Sequence, residues 1–230
     1  MNAASTELPA ELTLRWSALG ESLTLPAALA GAWRREGQRL VRSWGRWPRA
    51  YHDHHHLLAC LRHLDTVQDA LDDPRAAALA LWYHDAIYWP WSRHNETRSA
   101  AWAGSFLRRL PLPEGMADTV VGHVLDSRHI APPERGDAQW VIDIDLAILG
   151  QSDDVYRLFE RNVRREYRFI PWRRYVARRL RVLGSFTARE HIYETPVFRE
   201  RFEAQARLNL DHAMQALARG ELYGPPPVQR

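Results

Sequence analysis

Residues 76–88 read AAALALWYHDAIY, a run that is apolar or aromatic apart from one histidine and one aspartate. A helix with this composition is apolar on every face, so we expect it to be buried. Burying His84 and Asp85 side by side costs free energy unless another group compensates them. Imidazole and carboxylate are ordinary metal ligands, so a bound cation would compensate both. From this segment alone, a buried His–Asp hydrogen bond with a structural purpose is an equal alternative.

Apolar residues recur at helical spacing along almost the whole chain, and no segment of the sequence reads as an alternating strand. Proline-containing breaks such as Pro111–Pro113 and Ile170–Pro171 separate the helical segments. The sequence therefore predicts an all-α, irregular helical bundle. Its predicted helices cover 8–20, 26–44, 54–71, 74–88, 96–110, 114–129, 138–150, 152–169, 172–186 and 196–219.

The 230 residues, 46% of them hydrophobic, suffice for one core, and no linker divides them. We expect a single domain over residues 1–230 with short flexible termini. No apolar run approaches the roughly 20 residues of a membrane span, and the first thirty residues do not read as a signal peptide. The one cysteine, Cys60, excludes an intramolecular disulfide and fits a reducing compartment. The expected location is the cytoplasm, without membrane contact.

All 31 basic residues are arginine, which excludes chemistry based on a P-loop lysine or a Schiff base. Arginine suits bidentate phosphate binding, although a bias in codon usage would give the same composition. Eleven arginines lie between positions 157 and 189. A subset of them could bind an anionic substrate while the rest form a solvated face. Without a recognised nucleic-acid motif, we do not expect nucleic-acid binding.

Two further segments carry metal-ligand chemistry. His52 and His56 are spaced i, i+4 at the start of an apolar helix, so they share a face. Residues 140–149 read WVIDIDLAIL, in which two acids interrupt an apolar run. On a helix Asp145 shares its face with apolar neighbours and points inward, whereas Asp143 lies about 200° away. We therefore predict Asp145 as the ligand and Asp143 as a supporting or helix-end group; an aspartate that turns a loop is the alternative.

In this order the motifs resemble the HD superfamily of metal-dependent phosphohydrolases, in particular a subgroup of small bacterial proteins described as predicted HD phosphohydrolases. The similarity spans about residues 45–212. The matching segments are Arg49–Leu57, Tyr83–Tyr88, Asn95-Glu96 with Ser99-Ala100, His129, Asp143–Gly150, Arg164–Tyr167 and Ala206–Leu210. Asp53 departs from this pattern, because the subgroup usually has asparagine there.

The resemblance implies an HD-type bundle that holds one or two divalent metal ions (Mn, Mg, Co, Ni, Zn or Fe). The implied ligands are His56, His84, Asp85 and Asp145. Three more histidines are available for a second metal or for substrate phosphate: His52, His123 and His129.

The implied activity is hydrolysis of a nucleotide or another small phosphate ester by a metal-activated water. Glu96 and Asp85 are the candidate catalytic residues, with Glu96 as general acid or base, although a first-turn acid is equally favoured at position 96 by the helix dipole. Candidate substrate-binding residues are Asn95, Arg164 and Arg207; Asn95 could equally be a helix cap. Two alternatives remain open, a di-iron oxygenase and a non-catalytic, metal-stabilised module that binds nucleotides. The sequence also leaves open whether the protein is a homodimer.

Overall fold

The computed structural model describes residues 4–131, 133 and 136–224, and over these residues the chain is helical without any β-strand. This confirms the all-α prediction; the HD type itself stays a prediction. The described residues form ten α-helices: α1 (Ala4–Ser22), α2 (Ala30–Trp44), α3 (His54–Val67), α4 (Pro74–Tyr83), α5 (Asn95–Leu107), α6 (Met116–Asp126), α7 (Asp137–Leu146), α8 (Asp153–Glu166), α9 (Trp172–Thr187) and α10 (Pro196–Ala218).

Seven predicted helices extend three or more residues beyond the α-helices of the structure. Three of them contain a 3-10 turn at one end, because helix termini tighten where backbone groups lack α-helical partners. These turns are Ala27–Leu29 before α2, Gln68–Ala70 after α3 and Ala147–Gly150 after α7. Helices α5, α6 and α8 each end three residues before the predicted bound, and α4 ends at Tyr83 instead of continuing to residue 88.

The chain forms two compact units, Met1–Ile144 and Asp145–Arg230. The boundary falls inside α7, so the last two residues of that helix are counted with the second unit. The prediction of a single domain over residues 1–230 stays a prediction. None of the described helices is long and apolar enough to cross a membrane.

Helix α4 is the buried centre of the first unit. It packs against α1, α3, α5 and α6. Seven of its ten residues are buried, including Trp82 and Tyr83. The all-round apolar pattern of residues 76–83 is therefore explained by neighbours on every side. A helix in this position can hold its C-terminal residues rigidly inside the unit.

A tryptophan pair joins α1 to α2 beside this core. The rings of Trp16 and Trp33 stack with centroids 4.1 Å apart. Each indole N–H donates to the backbone carbonyl of the other tryptophan, at 2.8 and 2.9 Å. Gly37 permits this close approach, because a Cβ there would lie 2.2 Å from Trp16 Cδ1. The pair fixes the position of α2, which contributes to both the metal site and the cavity described below.

In the second unit, α10 packs against α8, α9 and the 3-10 turn Ala147–Gly150. The buried amide of Asn209 donates to the carbonyls of Leu149 and Gln151, both at 2.8 Å. Gly150 allows the turn to touch α10, since a Cβ there would lie 2.7 Å from the carbonyl oxygen of Phe202. These contacts hold the chain directly after α7.

Candidate metal centre

His84 is the residue that follows α4, and its orientation comes from the way this helix ends. Its backbone N–H donates to Ala80 at 2.8 Å and completes the last helical hydrogen bond. Its ring Nδ1 lies 2.8 Å from the carbonyl oxygen of Leu81. In neutral imidazole this contact places the proton on Nδ1 and leaves the Nε2 lone pair available as a ligand. The buried His84 ring is therefore held in the form that binds a metal.

His56 is buried in the first turn of α3. Asp53 caps this helix, because its carboxylate accepts hydrogen bonds from the backbone N–H groups of His55, at 2.8 Å, and His56, at 3.4 Å. The Nε2 atom of His56 lies 3.2 Å from the Nε2 atom of His84. Two nitrogens that bind one ion at about 2.0–2.1 Å each are separated by roughly this distance. The spacing of the two imidazoles thus fits a shared ion.

Asp145, in the last turn of α7, completes a set of three ligand atoms. One carboxylate oxygen of Asp145 and one ring nitrogen each of His56 and His84 all lie within 4.8 Å of one another. Among the described residues this is the one group of three or more metal-ligand side chains that converges so closely. The sequence-based choice of His56, His84 and Asp145 is therefore matched by a cluster that could hold a metal ion.

Asp143 is not part of this set, although it is completely buried and Asp145 is only partly so. Residues 141–144 are all buried, so α7 has no solvent face in this segment. Burial therefore does not distinguish the two acids. What distinguishes them is that only Asp145 converges on the two histidines; the expectation that Asp145 alone points inward is not met, because Asp143 is the more buried of the two.

Asp85 and His52 lie beside the set. The Oδ2 atom of Asp85 is 3.6 Å from His84 Nε2 and 3.9 Å from His52 Nε2. The ring of His52 stacks on Tyr88 with centroids 4.2 Å apart. Asp85 is thus near enough to His84 to serve as a fourth ligand, and that role stays a prediction. The use of His52 for a second metal or for phosphate also stays a prediction.

The backbone of residues 84–89, here called the metal-site turn, is held by side chains from three other segments. Arg49 donates to the carbonyls of Asp85 and Ala86 at 2.7 and 3.1 Å. Ser43 also donates to the Ala86 carbonyl. These bonds satisfy carbonyl groups that lie beyond the end of α4 and have no helical partner.

Helix α5 holds the second half of the metal-site turn. The N–H of Ile87 donates to the hydroxyl of Ser99 at 2.9 Å. The Asn95 amide accepts from the N–H of Trp89 at 3.1 Å and donates to its carbonyl at 2.9 Å. Asn95 is the first residue of α5 and not its cap, which is His94. Its amide is engaged with Trp89, and the predicted contact with substrate stays a prediction.

Buried aromatic and acidic groups surround the two histidines. The ring of Trp44 lies 5.3 Å from that of His84 and 6.1 Å from that of His56. Tyr83 donates its hydroxyl to Glu36 at 2.9 Å, and Glu36 is 2% exposed. Because Tyr83 precedes His84 directly, this bond fixes the end of α4 against α2. The sequence analysis assigned no role to Trp44 or Glu36.

The remaining histidine candidates lie on and after α6. His123 is buried, and its Nε2 atom has no hydrogen-bond partner among the described residues. Burial lowers the pKa of His123, although Asp137 and Asp126 oppose this shift. His129 follows α6 with a left-handed backbone, φ 54°. Neither belongs to the converging set, so their role in binding a second metal or phosphate stays a prediction.

Glu96 lies half-buried in the first turn of α5 and makes no hydrogen bond or ion pair with another described residue. A carboxylate without a partner is available for proton transfer, as predicted for Glu96, but its position also fits an acid that interacts with the helix dipole. The structure leaves its catalytic role a prediction.

Arg164 and Arg207 both use their guanidinium groups within the second unit. Arg164 donates to the carbonyls of Tyr167 and Ile170, at 2.6 and 3.2 Å. Arg207 forms an ion pair with Glu203 at 2.7 Å and donates to the carbonyls of residues 189 and 190. These bonds give both arginines a structural role, and their predicted contact with substrate stays a prediction.

The chain was compared with known protein families, curated proteins and solved structures. No protein-family model, curated protein or solved structure matches the chain. The chemistry of the site must therefore be argued from its own residues.

Two imidazoles and one or two carboxylates form a donor set that suits Zn, Fe, Mn, Co or Ni. The supporting contacts favour ligation as well, since the Leu81 carbonyl can only accept a hydrogen bond and so favours a proton on His84 Nδ1. Sequence reasoning overlooked the residues that hold this arrangement, above all Arg49 and Glu36. Arg49 is the first residue of the motif Arg49–Leu57, so the sequence did point to it. Glu36 is one acid in an ordinary helical pattern, and nothing in the sequence points to it.

Proposed function

We propose that the chain is an HD-type, metal-dependent phosphohydrolase that acts on a nucleotide or another small phosphate ester. The observation that carries the proposal is the buried pair of Nε2 atoms, 3.2 Å apart, with Asp145 in the same cluster. A divalent cation held there would act as a Lewis acid toward a phosphoryl oxygen and lower the pKa of a bound water.

The protein's own residues would orient this chemistry. The Leu81 carbonyl holds His84 in the ligating form, and Arg49 fixes the turn that carries Asp85. Trp44 and Tyr51 pack against the histidine rings and limit access of water to them. Glu96 would give a proton to the leaving oxygen or take one from the attacking water.

Metal content of tag-free protein, measured by mass spectrometry, is the first test. His55 and His56 form a matched pair, because they are adjacent in α3 but only His56 is buried in the cluster. We expect about one equivalent of metal in the wild type and in His55→Ala, and less than a tenth of that in His56→Ala. Equal metal in the two variants would refute the site.

Turnover is then measured with the bound ion and a panel of nucleotides and phosphate esters. We expect phosphate release by the wild type and at least a hundredfold lower kcat for Glu96→Gln with its metal content unchanged. Metal-loaded protein that leaves the whole panel intact would refute the hydrolase and retain only the metal site. Two tightly bound irons with oxygen consumption would point to the oxygenase instead.

A further inference from the structure

A cavity of about 470 Å³ lies in the first unit, formed by the C-terminal half of α2, residues 46–49 after it, the metal-site turn and Trp102 of α5. This volume is in the range of about 300–1,000 Å³ that is typical of small-molecule sites. None of the residues that line it belongs to the cluster of His56, His84 and Asp145. The cavity is therefore a second feature that can bind a ligand in its own right.

The cavity is strongly basic. Four arginines line it: Arg39, Arg42, Arg46 and Arg49. Two are engaged, because Arg39 pairs with Glu36 at 2.9 Å and Arg49 holds the metal-site turn. Arg42 and Arg46 are exposed, and their guanidinium groups make no hydrogen bond or ion pair with another described residue. Two guanidinium groups, one in the last turn of α2 and one just after the helix, are thus available to an anion.

An arginine near the end of a helix often serves only to bind its last carbonyl groups. At the end of α2 other donors already do this. The Val41 carbonyl accepts from the ring Nε2 of His54, at 2.6 Å, and from the N–H of Gly45. The Ser43 carbonyl accepts from a backbone N–H. Capping therefore does not explain the side chains of Arg42 and Arg46.

Four aromatic side chains also line the cavity. They are Trp47, Tyr88, Trp89 and Trp102. Trp47 is 61% exposed and Trp89 is 37% exposed. Tryptophan side chains are highly buried on average, so this exposure is unusual. An exposed indole face beside free guanidinium groups offers stacking to a planar base and charge-assisted hydrogen bonds to its phosphates.

We propose that this cavity binds a nucleotide, with Arg42 and Arg46 on its phosphate groups and Trp47 stacked on its base. A sugar phosphate would use the arginines but leave the indole unused. A nucleic-acid strand would need a basic groove that continues beyond these residues, whereas a cavity of about 470 Å³ suits one nucleotide. The assignment does not depend on hydrolysis, because no metal-cluster residue lines the cavity.

Isothermal titration calorimetry of the full chain in the presence of a chelator tests this proposal, with ADP, adenosine, pyrophosphate and oligothymidylate as probes. We expect ADP to bind more tightly than either adenosine or pyrophosphate. The double variant Arg42→Ala/Arg46→Ala should bind ADP at least tenfold more weakly. Its matched control is Arg34→Ala/Arg109→Ala, which removes the same charge from exposed positions outside the cavity lining; it should change affinity less than twofold.

Trp47→Ala separates the base from the phosphates. It should weaken ADP binding roughly tenfold and leave pyrophosphate binding unchanged. Circular dichroism confirms that each variant is folded. The proposal is overturned by wild type that does not bind ADP, by equal losses in the two double variants, or by an unchanged ADP affinity in Trp47→Ala. Oligothymidylate binding tenfold tighter than ADP would also overturn it, in favour of nucleic acid. Metal content is measured separately, so failure here leaves the proposed hydrolase untouched.

Discussion

Asp143 and Asp145 stand two positions apart in α7, and only Asp145 offers an oxygen to the histidine pair. We expect Asp145→Asn to lower bound metal below a tenth of an equivalent, because an amide is a much poorer ligand than a carboxylate. Asp143→Asn should keep at least half of the metal. Mass spectrometry of the two proteins, after a thermal melt has shown that both fold, makes the comparison; the reverse order would mean that the wrong aspartate was chosen.

At this scale the sequence predicted the ligands better than their supports. His56, His84 and Asp145 could be selected because each interrupts an apolar helical pattern, and such interruptions need a compensating partner. The support from Glu36 could not be predicted. Its partner Tyr83 is far away in sequence, and nothing local to either residue indicates the pairing.

The N-terminal cap of α4 is a feature of the element, and it holds the helix that ends in the metal-site turn. Asp73 accepts from the N–H groups of Arg75 and Ala76, at 3.0 and 3.3 Å. We expect Asp73→Ala to lower the free energy of unfolding by about 1 kcal/mol. Asp72→Ala is the control, since the exposed Asp72 engages its partner Asp137 through its backbone N–H. Urea unfolding monitored by circular dichroism measures both.

The same cap predicts a pH dependence. Partial burial opposes ionisation of Asp73, but the hydrogen bonds from Arg75 and Ala76 outweigh it and lower its pKa. A lowered pKa in the folded state gives stability that is present at neutral pH and lost as the carboxylate is protonated, below about pH 4. The difference between wild type and Asp73→Ala should therefore shrink below pH 4. A difference that stays constant down to pH 3 would contradict the role of the charge.

The end of α4 could not be predicted from its own residues. Residues 84–88 continue the apolar helical pattern, and helical hydrogen bonds were the simplest expectation. The chain instead satisfies these backbone groups with Arg49, Ser43 and Ser99, which come from other segments. Asn95 and Ser99 belong to one of the motifs that resemble the HD superfamily. The motif was visible in the sequence, but its role in holding the metal-site turn was not.

The same substitution, glycine to alanine, should have opposite effects on stability at two glycines of the second unit. A Cβ at Gly150 would lie 2.7 Å from a backbone oxygen of α10, whereas one at Gly184 in α9 would meet nothing within 4 Å. We expect Gly150→Ala to destabilise the protein by about 1–3 kcal/mol through overpacking. Gly184→Ala should stabilise it by about 0.5–1 kcal/mol through helix propensity. Chemical denaturation measures the free energy of unfolding of both variants. A change of the same sign in both would contradict the close packing of the turn Ala147–Gly150 against α10.

For the whole molecule, a metal ion would connect α3, the end of α4 and α7, which are far apart in sequence. An ion that binds only the folded chain adds about 2.7 kcal/mol of stability at a hundred times its Kd. For a protein of this size that corresponds to a rise in Tm of roughly 5–10 °C. Differential scanning calorimetry with and without a chelator should show this rise in the wild type and in His55→Ala. The Tm of His56→Ala should not respond to metal.

The contact between the His84 ring and the Leu81 carbonyl is a contact to the main chain, so the identity of the side chain at position 81 does not carry it. Any apolar residue that fits there would leave the imidazole oriented as it is. A one-residue insertion or deletion between 81 and 84 would instead rotate the ring by about 100° around the helix and remove its acceptor. Between residues 81 and 84 the protein should therefore tolerate apolar substitutions at position 81 far better than insertions or deletions.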